Sequence, residues 1–228
     1  MARIILAVDP YGDIGIDEII ARINMVKEYI AGVKIGLPLL IRFGLPGVKK
    51  IIDLARDTEH VILDFKLADI APVMISTIEP FVGTGANEVI AHAFIGLDGA
   101  LKEFKEYIDS YGLKLILVVS MSHPGSTDIM DHVLDKIINV VEKLEPYGIV
   151  VPATRPHIIQ NVKKKLLSKN IDAKIYSPGI GAQGAKPGSA LKAGADYEII
   201  GRSILYSPNP LEAASLIARI HDELVRQR

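Results

Sequence analysis

The sequence predicts a (β/α)8 TIM barrel in a single domain, and three observations carry that expectation. Apolar, β-branched runs recur between helical stretches roughly every 25 to 30 residues, the rhythm of repeated βα units. Runs such as Val61-Ile62-Leu63 and Leu115-Ile116-Leu117-Val118-Val119 are hydrophobic without alternation, as strands buried on both faces require. A chain of 228 residues has room for about eight such units, the number that closes a barrel. An open doubly wound sheet is the alternative that periodicity leaves open.

Strands are predicted at Arg3–Val8, Gly32–Ile35, Val61–Phe65, Glu88–Ala91, Lys114–Val119, Gly148–Val151, Lys174–Tyr176 and Tyr197–Ile200. Amphipathic helical patterns lie between them. Ile16–Tyr29 opens with Asp17 and Glu18, acidic residues that suit the positive end of a helix. Val133, Ile137, Val140, Val141 and Leu144 recur at helical spacing and mark a buried stripe. Pro210–Gln227 closes the chain as a helix suited to cover the outside of the barrel. No linker, low-complexity tract or charged tail interrupts residues 1–228, so one domain is expected.

Composition narrows the function classes. The chain is 49% hydrophobic and 23% charged, as a soluble globular domain is. A formal net charge of -1 points to neither nucleic acid nor an anionic membrane, yet leaves room for a local positive site. Absence of cysteine removes disulfides, thiolate metal sites and a cysteine nucleophile together. The opening MARIILAVDP is too short an apolar run for a signal peptide, and no stretch approaches the ~18 residues of a membrane span. A cytoplasmic location is expected.

In a parallel barrel the chemistry sits at the C-terminal ends of the strands, above apolar interior layers. Strand 1 runs into Asp9, strand 2 carries Lys34, and strand 3 carries Asp64 and Lys66 with Asp69 just beyond. On an extended segment Asp64 and Lys66 point the same way. Ser122 follows strand 5. A lone Asp after a strand often caps a helix or shapes a turn, so Asp9 alone says little. Lys34 is harder to dismiss, because an ammonium within an apolar strand needs a partner. The plain alternative for Asp64–Asp69 is a structural salt-bridge cluster.

A phosphate end is also written in the chain. The glycine-rich Ser177–Gly184 loop follows strand 7, with Pro178 and Gln183 in it, and Gly201-Arg202-Ser203 follows strand 8 ahead of a short helix. Barrels bind phosphate with these two loops, where glycine lets backbone N–H groups approach an anion and Arg202 adds a bidentate contact. Loop flexibility alone would also explain the glycines. The six histidines form no HExxH or comparable ligand pair, so no metal is suggested. Ser122-His123 is no nucleophile–base pair, because no GxSxG elbow occurs. His92 is expected to be a packed, hydrogen-bonded residue.

Taken together, Leu6-Ala7-Val8-Asp9, Val33-Lys34-Ile35-Gly36, Asp64-Phe65-Lys66-Leu67-Ala68-Asp69-Ile70, Met121-Ser122-His123-Pro124-Gly125, Ala153-Thr154-Arg155-Pro156, the Ser177–Gly184 loop and Gly201-Arg202-Ser203 resemble the orotidine 5'-monophosphate decarboxylase family. The likeness spans essentially the whole chain. The Asp64–Asp69 pattern is shared with related sugar-phosphate enzymes, whereas Lys34, Ser122–Gly125 and Gly181-Ala182-Gln183-Gly184 narrow the resemblance to the decarboxylase. The resemblance implies removal of carbon dioxide from orotidine 5'-monophosphate to give uridine 5'-monophosphate, with no cofactor and no metal. It implies that Asp9 holds a ribose hydroxyl with Lys34 nearby, Asp64 faces the substrate carboxylate, and Lys66 protonates C6. Ser122 would contact the pyrimidine, Pro178 and Gln183 would serve the substrate from the loop, and Arg202 with Gly201 would hold the phosphate. It further implies a homodimer in which Asp69 enters the neighbouring subunit's site.

Two departures stand out. The family commonly continues Asp-Ile-Pro, with a threonine four residues after the aspartate that reaches a ribose hydroxyl across the dimer. Here the run is Asp69-Ile70-Ala71-Pro72-Val73, and Val73 cannot donate a hydrogen bond; Ser76 and Thr77 are the nearest hydroxyls. His92-Ala93-Phe94-Ile95-Gly96 also departs from the usual His-Gly-Phe-Pro-Gly, without consequence for chemistry. A metal-dependent hexulose-phosphate synthase or ketogulonate-phosphate decarboxylase would carry glutamate where this chain has Lys34. A catalytically silent nucleotide-binding barrel would not need the alternating charges.

Overall fold

A computed structural model describes residues 2–226; Gln227, the last residue of the expected closing helix, lies outside the described residues. Eight strands form a closed barrel: β1 (Ile4–Val8), β2 (Ile30–Gly36), β3 (His60–Leu67), β4 (Glu88–His92), β5 (Lys114–Val118), β6 (Gly148–Val150), β7 (Lys174–Pro178) and β8 (Tyr197–Ile200). Each pairs in parallel with the next, and β8 returns to β1 through Ile4↔Glu198 and Leu6↔Ile200. Closure excludes the open sheet. β2 starts two residues before its predicted edge because Ile30 still finds Ile4 as a partner. β7 extends to Pro178, which pairs with Ile199 at the strand's end, where a missing N–H costs least.

The helices are α1 (Ile16–Val26), α2 (Leu37–Ala55), α3 (Ala71–Ile78), α4 (Lys102–Ser110), α5 (Leu134–Leu144), α6 (Pro156–Ser168), α7 (Ser189–Ala193), α8 (Arg202–Leu205) and α9 (Pro210–Arg226). α1 tightens into a 3-10 turn over Lys27–Tyr29, so the predicted Ile16–Tyr29 helix exists with a changed last turn. α2 breaks at Gly44, whose φ of 64° leads into Pro46. α5 buries Leu134, Ile137, Ile138, Val141 and Leu144, while Val133 and Val140 pack at the edge. In α3, Thr77 donates its hydroxyl to the Val73 carbonyl at 2.8 Å, so it is committed to its own helix. No described helix is long and apolar enough to cross a membrane.

Inside the barrel the expected apolar layers hold only in part. Ala7, Ile90, Val118, Val150 and Ile199 form an apolar floor beneath the strand ends. Lower down lies a polar plug. His60 Nδ1 sits 2.6 Å from Glu88 Oε1, and the Tyr176 hydroxyl donates to Glu88 Oε2 at 3.3 Å. The Tyr197 ring stacks on Tyr176 and meets His60 edge-on, with centroids 5.1 and 4.5 Å apart. Burial, followed by the Glu88 charge, pushes the Tyr176 hydroxyl far above the usual phenol range, so it stays a donor. Glu88 is tolerated at zero exposure because it has partners. Glu88 opens its strand, and the plug depends on β3, β4, β7 and β8 meeting across the barrel.

Next to the plug, β2 approaches β3 closely at Gly32, where an added Cβ would sit 2.0 Å from the His60 carbonyl oxygen. Backbone cannot yield there as a flexible side chain would. Gly32→Ala should therefore lower stability by roughly 2–3 kcal/mol or more, as overpacking does. Thermal unfolding checks this, and an unchanged midpoint would contradict the packing described.

Candidate active site

The barrel register brings the charged residues together. Ala7 pairs with Lys34 and Gly36 with Asp64, so the ends of β1, β2 and β3 face one another. Lys34 donates to Asp9 Oδ2 at 3.0 Å and lies 3.0 Å from Asp64 Oδ2. Lys66 donates to both Asp64 oxygens, at 2.9 and 2.7 Å. Asp9–Lys34–Asp64–Lys66 is thus a continuous chain of alternating charge. Gly36 makes room for it, since a Cβ there would fall 2.0 Å from Asp9 Oδ1.

Burial and pairing compete at each member. Desolvation drives the Lys34 ammonium toward neutrality, but the carboxylates of Asp64 and Asp9 outweigh it and raise its pKa above the ordinary value. Burial likewise pushes Asp64 upward, yet Lys34 and Lys66 together hold its carboxyl below the usual carboxylate range. Lys34 and Asp64 side chains are only 8% and 4% exposed, whereas Lys66 is 42% exposed. Two buried charges therefore support a third that stands free to meet a ligand.

Lys66 reaches this position by an unexpected route. It adopts φ 45°, one of three non-glycine residues in the left-handed region among those described. The β3–β4 register shifts between Leu63 and Leu67, so the strand is bulged where sequence suggests a regular extended segment. Phe65 anchors the bulge against Phe81, with ring centroids 5.3 Å apart. Such backbone strain persists only when surroundings over-determine it. Both side chains still meet, through the bulge and not through strand alternation.

A cavity of about 430 Å³ opens over this array. Of the ten residues singled out in the sequence, nine line it: Asp9, Lys34, Asp64, Lys66, Ser122, Pro178, Gln183, Gly201 and Arg202. Asp69 does not; it is exposed beyond the rim, its Oδ1 accepting the Ile70 N–H at 2.8 Å. At the rim of the same cavity, the Gly179–Gly188 loop folds on itself through Gly181 N–H to Ala185 O at 2.7 Å and Gly184 N–H to Gly181 O at 2.8 Å. Ser203 Oγ accepts the Ala182 N–H at 3.2 Å, tying the loop to the residue beside Arg202. Arg202 itself is exposed at the mouth.

Several residues that spacing did not single out complete the site. Tyr11, Ser120 and Met121 line the cavity. Arg155 braces the Ser122 segment, donating to Ser120 Oγ at 2.9 Å and Met121 O at 2.6 Å, with Asp131 as its ion-pair partner at 3.2 Å. Tyr206 links two rims: its hydroxyl donates to Asp9 O at 3.1 Å and accepts the Tyr11 N–H at 2.6 Å. His92 packs against Phe94 as expected, but its buried Nδ1 has no partner among the described residues. Burial, then the Lys66 charge, lowers the pKa of that imidazole, so it adds no third cation to the array.

The chain as a whole is similar to known proteins. The sequence profile of the orotidine 5'-phosphate decarboxylase / HUMPS family matches residues 2–217. The chain belongs to this family. A relative from Aeropyrum pernix named orotidine 5'-phosphate decarboxylase is 42% identical over 95% of this chain and 87% of its own length. One of the same name from Pyrococcus abyssi is 38% identical over 97% of this chain and 98% of its own. The crystal structure of orotidine 5'-monophosphate decarboxylase from Sulfolobus solfataricus superposes with a TM-score of 0.85 at 39% identity, covering 99% of this chain and 100% of that one. The decarboxylase from Methanocaldococcus jannaschii complexed with inhibitor BMP gives 0.84 at 31% identity, over 97% and 99%. The family's barrel is therefore retained along the whole described chain.

Asp64 makes a pH test possible. Its folded-state pKa is lowered from 3.8, so it contributes stability above that value and loses the contribution as pH falls through the folded value. Asp64→Asn should be less stable than the parent at neutral pH, with the gap closing progressively below about pH 4. Urea unfolding across that range measures it; a gap that stays constant into acid would contradict the ion-pair account.

Proposed function

We propose that this chain decarboxylates orotidine 5'-monophosphate to uridine 5'-monophosphate, and that Lys66 delivers the proton to C6. The observation that carries the reading is the Asp9–Lys34–Asp64–Lys66 array standing over an apolar floor, with a glycine loop and Arg202 lining the same cavity. Loss of carbon dioxide from C6 leaves an electron pair in the plane of the pyrimidine ring, where no π-system absorbs it. Stabilisation must then come from charge already in place, and an ammonium at C6 supplies it. Lys66 then protonates the carbanion.

Asp64 would face the departing carboxylate. At ~4 Å and an effective dielectric of ~20 that repulsion is worth on the order of 4 kcal/mol, and it fades as carbon dioxide becomes neutral. Enzymatic accelerations require roughly 8–23 kcal/mol, so attraction between Lys66 and the nascent carbanion carries the larger share. Asp9 and Lys34 would hold ribose hydroxyls, Ser122 the pyrimidine, and Gln183 with Pro178 the span toward the phosphate. Phosphate binding by Arg202, Gly201 and loop amides would close the Gly179–Gly188 loop, using remote binding energy at the reacting carbon.

Metal-assisted chemistry on a sugar phosphate is disfavoured by the donor set. Lys34 occupies oxygens of both Asp9 and Asp64, where a divalent cation would need free carboxylates. Adding orotidine 5'-monophosphate with a chelator present and following its ultraviolet absorbance tests the reading; turnover is expected. Lys66→Ala should abolish turnover with the fold intact. Arg202→Ala should instead weaken nucleotide binding and slow turnover, and wild-type kinetics in either variant would refute its assigned role.

Asp69 supports a two-fold dimer with shared sites. It lies outside its own cavity, next to exposed Ile70 and Val73 at 57% and 45%, as residues bound for a partner's site would. Mixing inactive Lys66→Ala and Asp69→Ala proteins should restore activity through hybrid dimers that carry one intact site. No recovery after subunit exchange would contradict a site shared between subunits.

A further inference from the structure

Glu198 is fully buried on β8, one residue before Ile199 of the cavity floor and four before Arg202. Its side chain turns away from the cavity, into the layer between sheet and helices. There Oε2 accepts the Gly188 N–H at 2.9 Å, and Oε1 accepts the Ala190 N–H at 3.0 Å. Oε2 also meets His221 Nε2 of α9 at 2.8 Å; a carboxylate only accepts, so Nε2 carries the hydrogen. Three donors thus converge on one buried carboxylate. Two of them belong to the point where the Gly179–Gly188 loop ends.

We infer that Glu198 and His221 are positioning residues that fix the trailing end of the phosphate loop relative to Arg202, an inference that rests on the phosphate reading above. Gly188 is held from two sides. Its φ is 82°, and a Cβ on it would fall 2.6 Å from Leu224 Cδ1, so α9 packs closely against it. Ser203 secures the loop's middle through the Ala182 N–H, and Glu198 secures its end. Both anchors stand on the β8–α8 segment that presents Arg202. A loop and a guanidinium that grip one phosphate must keep their spacing, and a common segment supplies it. His221 completes the arrangement by holding the Glu198 carboxylate in the one orientation that serves both backbone donors.

The substitutions Glu198→Gln, His221→Phe and His221→Gln test this, with uridine 5'-monophosphate and phosphate-free uridine as titrants. An amide at 198 sets an N–H against one of the donors, and Phe at 221 removes a donor at similar size. Either change should weaken uridine 5'-monophosphate binding about tenfold, the scale of one lost hydrogen bond to a charged group, and leave uridine binding unchanged. His221→Gln keeps an N–H and should recover most of the loss. Hydrogen exchange should quicken at Gly188 and Ala190 in Glu198→Gln and His221→Phe. Wild-type affinity in both variants, or equal weakening for nucleotide and nucleoside, would overturn the inference. If Glu198→Gln fails to fold, the His221→Phe and His221→Gln pair decides. Decarboxylation is assayed alongside: a wild type that binds the nucleotide but never turns it over overturns the functional reading and leaves the loop question answerable.

Discussion

The shared carboxylate of Asp64 is the interaction on which the rest of the structure depends. A buried anion is unfavourable on its own, and a buried ammonium at Lys34 equally so. Each is tolerated because the other is within 3.0 Å, and the pair then holds Lys66 through two further hydrogen bonds. The strain of a left-handed backbone at Lys66 is stored against this same contact. The array is held together by its own ion pairs and hydrogen bonds. That is the condition under which fixed charge stabilises a developing anion without reorganising first.

Layering along the barrel axis separates stability from chemistry. Charged side chains crown the strand ends, aliphatic ones form the floor, and the His60–Glu88–Tyr176 plug closes the opposite end. The floor keeps water from screening the array from below. Around the rim, several loops are braced by a neighbour: Arg155 under the Ser122 segment, Tyr206 between the loops after β1 and β8, and Ser203 with Glu198 along the glycine loop. Precision at the mouth thus comes from polar contacts outside the cavity as much as from those inside.

Much of this was legible in the sequence, because burial leaves a local trace. Recurring apolar, β-branched runs located all eight strands, and a lysine within one of them pointed to a site. Asp64, Lys66 and the glycine loop fell at strand ends where a parallel barrel places its chemistry. What stayed hidden depends on non-local contact. The left-handed turn at Lys66 follows from a register shift against β4, which no spacing within strand 3 reveals. The buried settings of Glu88 and Glu198 depend on distant donors that no spacing reveals: His60 and Tyr176 for one, His221 for the other. Arg155 sat in a recognised motif, yet its task as a brace needs the fold. Conversely, the side-chain hydroxyl of Thr77, available on paper, is spent on its own helix.

The central claim is that the Lys66 ammonium exchanges a proton with C6 of the bound pyrimidine. Run backwards, that step removes the C6 proton of the product. Uridine 5'-monophosphate incubated with the protein in deuterium oxide should therefore lose its C6–H resonance, and the Lys66→Ala variant should leave it intact. Exchange at equal rates in the two proteins would contradict the account.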